Sequence, residues 1–265
     1  MQLLAMLTML IDHIGIVLDP DNPHFRLVGR LAMPLYAYAL VVGFGRMRDF
    51  RRYALRLAAI AAISQWPYQY ALLGPDEPFE LNVVFTLLAS LIVLRLIDVV
   101  LASAGRSPAA AGKAAAEASV SAGRPSPAVP PSAALSSAES VPAAGADAVR
   151  RLIAALGIAA AGCLLLELVP CDYGSHLLLL VLIYRFSSGQ TALALHFFLN
   201  LIGIAYGFPP EQMFSLLATL LVRCAPGVLD ALNRRLPVPR LLWRSFYPAH
   251  LAALAAVRFF ASACA

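Results

Sequence analysis

An all-α, polytopic bundle of about nine membrane-spanning helices is the fold this sequence predicts, and three observations predict it. The chain of 265 residues is 60% hydrophobic and only 13% charged, with a mean hydropathy of +0.76. A soluble domain carries about 25% charge, so this apolar share exceeds what one soluble core can hide. Apolar stretches of spanning length recur along the chain, separated by short polar or Pro/Gly-containing loops. The arginines fall in alternate loops, the pattern that sets the orientation of membrane helices.

The first helix is expected over Met1–Leu18. It runs directly into Asp19-Pro20-Asp21-Asn22-Pro23, with no small-residue cleavage site of a secretory signal. Helix 2 is expected over Leu27–Gly45, with Arg30 near its start, followed by the basic turn Arg46–Arg52. Helix 3 covers Tyr53–Leu73, and Pro67 should kink or end it. An acidic loop, Gly74–Glu80, leads to helix 4, Asn82–Leu101.

Residues 102–149 differ in kind. They are rich in Ala, Ser, Pro and Gly and hold no aromatic residue. Such a stretch buries too little surface to offset its ordering entropy. A disordered linker is therefore expected here, dividing helices 1–4 (residues 1–101) from helices 5–9 (residues 150–265). The later helices are expected over Leu152–Val169, Ser175–Phe186, Gln190–Tyr206, Glu211–Leu232 and Phe246–Cys264, with a basic segment from Arg234 to Arg244 before the last.

Arg46, Arg48, Arg51, Arg52, Arg56, Arg150, Arg151, Arg185, Arg234, Arg235, Arg240 and Arg244 fall on one side of this topology. Asp19, Asp21, Asp76, Glu77, Glu80 and Asp172 fall on the other, with Arg26. The arginine side is then cytoplasmic, the N-terminus inside and the C-terminus outside. The net charge of +5 reads as this topology signal and not as a nucleic-acid surface. Cys163, Cys171, Cys224 and Cys264 have no metal-ligand or CxxC spacing, and no metal is expected.

The stretch that organises the chain is Leu4–Gly15, an apolar helix holding Asp12 and His13 side by side. Ionisable residues inside such a helix are costly and need a reason. One reason is a buried polar pair that docks helix 1 on its neighbours. The other is chemistry. Histidine transfers protons near neutral pH, and a carboxylate can fix its tautomer. Arg26 and Arg30 lie across the first loop at a similar depth, where a cation would keep Asp12 ionised. Asp172 and His176 are four residues apart and share a face if helix 6 starts early, with Asp172 alternatively an N-cap. His250 follows the basic segment. It either faces a phosphorylated cofactor or serves as an interface residue. The arginine loops, Arg52 and Arg56 among them, attract anionic lipid or grip the phosphates of a nucleotide-like cofactor. Asn82 with Thr86, and Gln65 with Gln69, either glue helices or line a polar cavity. No phosphate-binding glycine loop, HExxH or GxSxG occurs, which excludes ATPases, zinc proteases of that type and soluble-type hydrolases.

Several of these stretches share a resemblance. Ala5-Met6-Leu7-Thr8-Met9-Leu10-Ile11-Asp12-His13-Ile14-Gly15 and Arg26-Leu27-Val28-Gly29-Arg30-Leu31-Ala32-Met33-Pro34-Leu35-Tyr36-Ala37-Tyr38 resemble the opening of the TraX family, the F-pilin acetylase-like membrane proteins. So do Ile63-Ser64-Gln65-Trp66-Pro67-Tyr68, Asn82-Val83-Val84-Phe85-Thr86-Leu87, Asp172-Tyr173-Gly174 and Phe246-Tyr247-Pro248-Ala249-His250-Leu251. Gln69 stands where the family pattern leads one to expect an acid, and the linker is outside the pattern.

The resemblance implies a multi-pass protein of the bacterial inner membrane that moves an acetyl group from acetyl-CoA to an amine or hydroxyl. It is more remotely similar to polytopic acyl-CoA-dependent acyltransferases. On that implication His13 is catalytic with Asp12 beside it. Arg26, Arg30, Asn82, Asp172 and His176 shape the acceptor side, and Arg52, Arg56 and His250 hold the donor. The expected partners are the bilayer, the acyl-CoA and an acceptor that is a pilin-like peptide, a glycan or a lipid, with no nucleic acid. A transporter or flippase, or a structural part of a conjugation or secretion apparatus, is the alternative. Paired repeats between the halves, which a transporter would show, are not evident.

Overall fold

The computed structural model describes residues 1–74, 76–103 and 141–264, and among these the regular structure is helical. In chain order the helices are α1 (Gln2–Leu18), α2 (Pro23–Gly29), α3 (Ala32–Arg46), α4 (Phe50–Tyr68), α5 (Val83–Ala102), α6 (Val141–Leu168), α7 (Gly174–Phe186), α8 (Gly189–Ala205), α9 (Ser215–Cys224), α10 (Pro226–Arg235) and α11 (Arg240–Cys264). The chain divides into two compact units, Met1–Ile92 with Gly162–Ala265, and Val93–Ala161. The second unit holds, in its described residues, the distal part of α5 and the proximal part of α6. The candidate site lies within the first.

Apolar helices stand where they are expected, but the helix expected over Leu27–Gly45 is split into α2 and α3, and the one expected over Glu211–Leu232 into a 3-10 turn, α9 and α10. The expected nine spans are not found among the described residues. Among the described residues three helical stretches are long and apolar enough to cross a bilayer: Pro23–Arg46, Val83–Ala102 and Gly145–Leu168. A fourth is reached if Pro210–Cys224 and Pro226–Arg235, bent by 88°, form one broken span. The reasons are length and charge. α1, α7 and α8 are apolar but only 17, 13 and 17 residues long. α4 opens on Arg51, Arg52 and Arg56, and α11 carries Arg240, Arg244 and Arg258.

The expected linker falls largely on residues 104–140, which lie outside the described residues. Its expected end is corrected, because α6 is already helical from Val141.

Local chemistry accounts for the element ends. Asn22 caps α2, its side chain accepting from the His24 amide at 3.1 Å, with Pro23 in the first turn. Asp49 caps α4 in the same way, accepting from the Arg52 amide at 3.2 Å. Pro67 sits near the end of α4, and the chain passes into a π-helical turn over Gln69–Leu73. A proline has no amide to donate and crowds the preceding turn, which disrupts the α-helical ladder at this point.

The loop after that turn is held by amides. Gln65 donates to the Glu80 carbonyl at 2.7 Å, and Gln69 donates to those of Glu77 and Pro78 at 3.2 Å. Gln69 also accepts from the Glu80 amide at 3.3 Å. An amide both donates and accepts here, which an ionised carboxylate cannot do. That is a physical reason for Gln at 69.

α1 and α2 cross at very short range through glycines. A Cβ on Gly29 would stand 2.4 Å from the Cβ of Asp12, and one on Gly15 would stand 2.2 Å from the Cβ of Phe25. Both obstacles are close to the backbone and cannot swing away. Gly29→Ala is therefore expected to destabilise the protein by ~1–3 kcal/mol through overpacking. Thermal unfolding in detergent checks it, and an unchanged midpoint contradicts this crossing. Below it, Met9, Ala32, Ala61, Tyr68, Val84, Tyr247 and Leu251 form one buried cluster that brings α1, α3, α4, α5 and α11 together.

Candidate active site

A cavity of about 930 Å³ lies between these helices. Tyr53 and Tyr68 both line it, fifteen residues apart on α4, so it extends along the helix for ~22 Å at 1.5 Å per residue. Its two ends differ in chemistry. Arg46 at the end of α3, Arg56 near the start of α4, and Arg240 and Arg244 at the start of α11 line one end, with Trp243. Trp243 stacks on Tyr36 at 5.2 Å, the ring planes 12° apart. Arg26, Tyr68, Glu80, Asp172 and Tyr173 line the other end. Asp12 and His13, on the wall formed by α1, line it as well.

Asp12 and His13 do not pair. Adjacent residues on an α-helix point about 100° apart, so one neighbour cannot readily serve the other across the same groove. Asp12 accepts a hydrogen bond from Arg26 at 2.9 Å and forms an ion pair with it. His13 Nδ1 instead shares a hydrogen bond of 2.8 Å with Nε2 of His250, the rings edge to edge with their planes 14° from parallel. The expectation that Asp12 orients His13 is thus corrected: His250 on α11 does so. His250 also makes a 2.7 Å hydrogen bond to the Phe246 carbonyl and stacks on the Phe246 ring. It is therefore engaged with α1 and its own helix, not with the arginine end.

Asp172 reaches the cavity through backbone geometry. Its amide donates to the Leu81 carbonyl at 3.0 Å, and its carbonyl accepts from the Thr86 hydroxyl at 2.8 Å. Tyr173 follows at φ +62° and Gly174 at φ +45°. Two successive left-handed residues turn the chain sharply into α7, at a cost for Tyr173 that the surrounding contacts must offset. Asp172 consequently precedes α7 and does not share a helical face with His176, nor is it the N-cap, which is Tyr173.

Burial, reinforced by the nearby carboxylates of Glu80 and Asp12, pushes the Asp172 carboxyl up to about 7 from its usual 3.8; Arg26 and Arg30 oppose this. Burial raises Glu80 as well. The native state thus binds the Asp172 proton more tightly than the unfolded chain does. That contribution to stability is complete below the unfolded value and is lost as pH rises through about 7. Wild-type protein is expected to lose thermal stability between pH 5 and 8, and Asp172→Asn to flatten that slope. Parallel slopes for the two proteins contradict the assignment.

Other expected site residues lie elsewhere. Asn82 is fully buried, does not line the cavity, and is consumed by structure. Its amide donates to the Ala61 carbonyl at 2.8 Å and to Gln65 at 2.9 Å, and its oxygen accepts from the Val84 amide at 3.0 Å, capping α5. Arg52 is exposed and pairs with Asp49. Arg30 does not line the cavity, although its charge acts on Asp12, Asp172 and Tyr173. His176 is buried against Phe208, their ring centroids 4.9 Å apart.

His196 belongs to a separate buried polar cluster. Its Nδ1 lies 2.5 Å from the Thr219 hydroxyl, which Tyr184 also meets at 2.5 Å, and its Nε2 lies 3.2 Å from the Ser215 hydroxyl. Asn200 donates to Ser215 at 2.9 Å.

Sequence reasoning missed Glu80, Tyr68, Tyr173 and Tyr247 as cavity residues, and singled out Arg52 and Arg56, not Arg240 and Arg244, among the arginine loops that could grip phosphates. Charge alternation held the signal for the two arginines. The tyrosines carry no local signal.

No curated protein matches this chain. No solved structure matches it. The family model described as TraX protein matches residues 1–110, the part that carries Asp12, His13, Arg26 and Arg56. Over those residues the chain is similar to the TraX family, which its opening motifs also resemble.

Proposed function

We propose that this chain is a membrane-embedded acetyltransferase that moves an acetyl group from acetyl-CoA to an amine or hydroxyl acceptor. The observation that supports the reading most is the two-ended cavity, with arginines at one end, carboxyl and tyrosine side chains at the other, and His13 on its wall. Arginine forks match phosphate oxygens, so the donor enters by the end that Arg46, Arg56, Arg240 and Arg244 line. The acceptor enters by the end with Asp172, Glu80 and Tyr173. By the charge alternation of the loops, the arginine end faces the cytoplasm of a bacterial cell and the protein sits in its inner membrane.

The step balances without a further reactant. The acceptor's nitrogen or oxygen attacks the acetyl carbonyl, its bond to carbon forms, and the carbon–sulfur bond of the thioester breaks. His13 takes the proton from the attacking atom on the ring nitrogen not bonded to His250 and returns it to the departing thiolate, giving the acetylated acceptor and free CoA. Arg26 keeps Asp12 engaged, so Asp12 holds α2 and the charge of Arg26 in place and does not act as the base.

The test is turnover of acetyl-CoA by the full chain in nanodiscs, with small amines, amino sugars and hydroxyl compounds as acceptors and free CoA read by mass spectrometry. Acceptor-dependent CoA release is the expected result. Folded protein that neither binds nor cleaves acetyl-CoA overturns the reading in favour of transport or a structural role.

A further inference from the structure

The bond between His13 and His250 fixes more than their distance. His250 Nδ1 lies 2.7 Å from the Phe246 carbonyl oxygen, which can only accept, so Nδ1 carries the proton. In a neutral imidazole Nε2 is then the acceptor. His250 Nε2 lies 2.8 Å from His13 Nδ1, which must therefore be the donor. The remaining nitrogen of His13, Nε2, is left with its lone pair. A cationic His250 would reverse this last bond, but among the described residues no carboxylate forms an ion pair with either imidazole to hold such a charge in the resting state.

We infer that His250 is a positioning residue that locks His13 in the Nδ1–H tautomer and so leaves Nε2 as the only nitrogen of that ring able to take a proton. The surroundings support a fixed arrangement. The His250 ring stacks on Phe246, at 4.6 Å, and lies edge to edge with His13, the centroids 5.0 Å apart and the planes nearly parallel, with Tyr247 at 5.7 Å. His250 is buried, as is the following Leu251. The two imidazoles come from helices 237 residues apart in sequence, so the chain spends a long-range contact on this bond. When His13 Nε2 gains a proton, its Nδ1 proton can shift along the bond to His250 Nε2, which spreads the transient charge over both rings. The catalytic half of this inference rests on the acetyltransferase reading; the tautomer does not.

The experiment reads both halves separately. Nitrogen-15 NMR of histidine-labelled full chain in nanodiscs, with the His13 signals assigned by their loss in His13→Ala, is expected to show Nδ1 protonated and Nε2 bare. In His250→Phe, which keeps the stack on Phe246 and removes the acceptor, the His13 proton is expected to move towards Nε2. A wild-type His13 protonated on Nε2, or a tautomer unmoved in His250→Phe, overturns the inference.

Kinetically, His250→Phe is expected to lower kcat about 10²-fold with the KM for acetyl-CoA unchanged. His250→Gln, whose carbonyl can still accept from Nδ1–H, is expected to recover at least tenfold of that loss. Equal loss in both variants with an unmoved KM overturns the tautomer role. Should His250→Phe fail to fold, His250→Gln and the wild-type tautomer still decide the question. A bare Nε2 in protein that never releases CoA sinks the acetyltransferase reading and leaves the tautomer assignment standing.

Discussion

Replacing His13 by Ala is expected to lower kcat for acetyl transfer by ~10²–10⁴-fold, the usual worth of a positioned general base. The KM for acetyl-CoA is expected to stay close to wild type, because the arginine end is untouched. The variant is also expected to insert and fold. Ala removes the bond to His250 but leaves no buried charge, and His13 is half-buried on the cavity wall. An Asp12→Asn variant provides the contrast. It loses the ion pair to Arg26 and is expected to lose stability before chemistry. If Asp12→Asn abolishes turnover in stable protein while His13→Ala retains it, the roles are reversed from those argued above.

The second large effect belongs to the donor end. The charge reversals Arg56→Glu and Arg244→Glu together are expected to raise the KM for acetyl-CoA by ~10²-fold or more. Each arginine–phosphate contact is a charge-assisted hydrogen bond worth roughly 1.5–3 kcal/mol, and each 1.4 kcal/mol is tenfold. The kcat at saturating donor is expected to change little. Arg52→Glu serves as the control, since Arg52 is exposed, pairs with Asp49 and does not line the cavity. Equal KM changes at Arg52 and at the Arg56/Arg244 pair would mean that the whole basic surface, and not the cavity end, holds the donor.

The helices were legible in the sequence because each stretch between loops is apolar. Their starts were not, since the caps Asn22 and Asp49 fall in stretches that read as loop, and α2 and α4 begin at Pro23 and Phe50 instead of Leu27 and Tyr53. The number of spans was not legible either. Counting apolar stretches treats α7, with 13 residues, and α4, with three arginines near its start, as equals of Val83–Ala102. Length and charge separate them. Pro67 forecast the disturbance at the end of α4, although not that it would take the form of a π-turn.

The site was legible only in part. Asp12 and His13 stood out because polar groups in an apolar helix are costly, and both line the cavity. Their adjacency misled, since neighbours on a helix diverge in direction and partners come from other helices. His250 carries no mark of its pairing with His13, and Asn82 carries none of its capping duty, because both depend on contacts between distant segments. Glycines at 15 and 29 gave no warning of how closely α1 and α2 cross.

The central claim is that donor and acceptor meet in one cavity from opposite ends. The most direct measurement reconstitutes the full chain in proteoliposomes of known orientation, supplies acetyl-CoA only on the side of the arginine loops, and encloses a membrane-impermeant amine acceptor on the other. Acetylated acceptor inside the vesicles, with CoA released outside and both lost in His13→Ala, is the result this account predicts. Transfer only when donor and acceptor share a side, or equal transfer by His13→Ala, would contradict it.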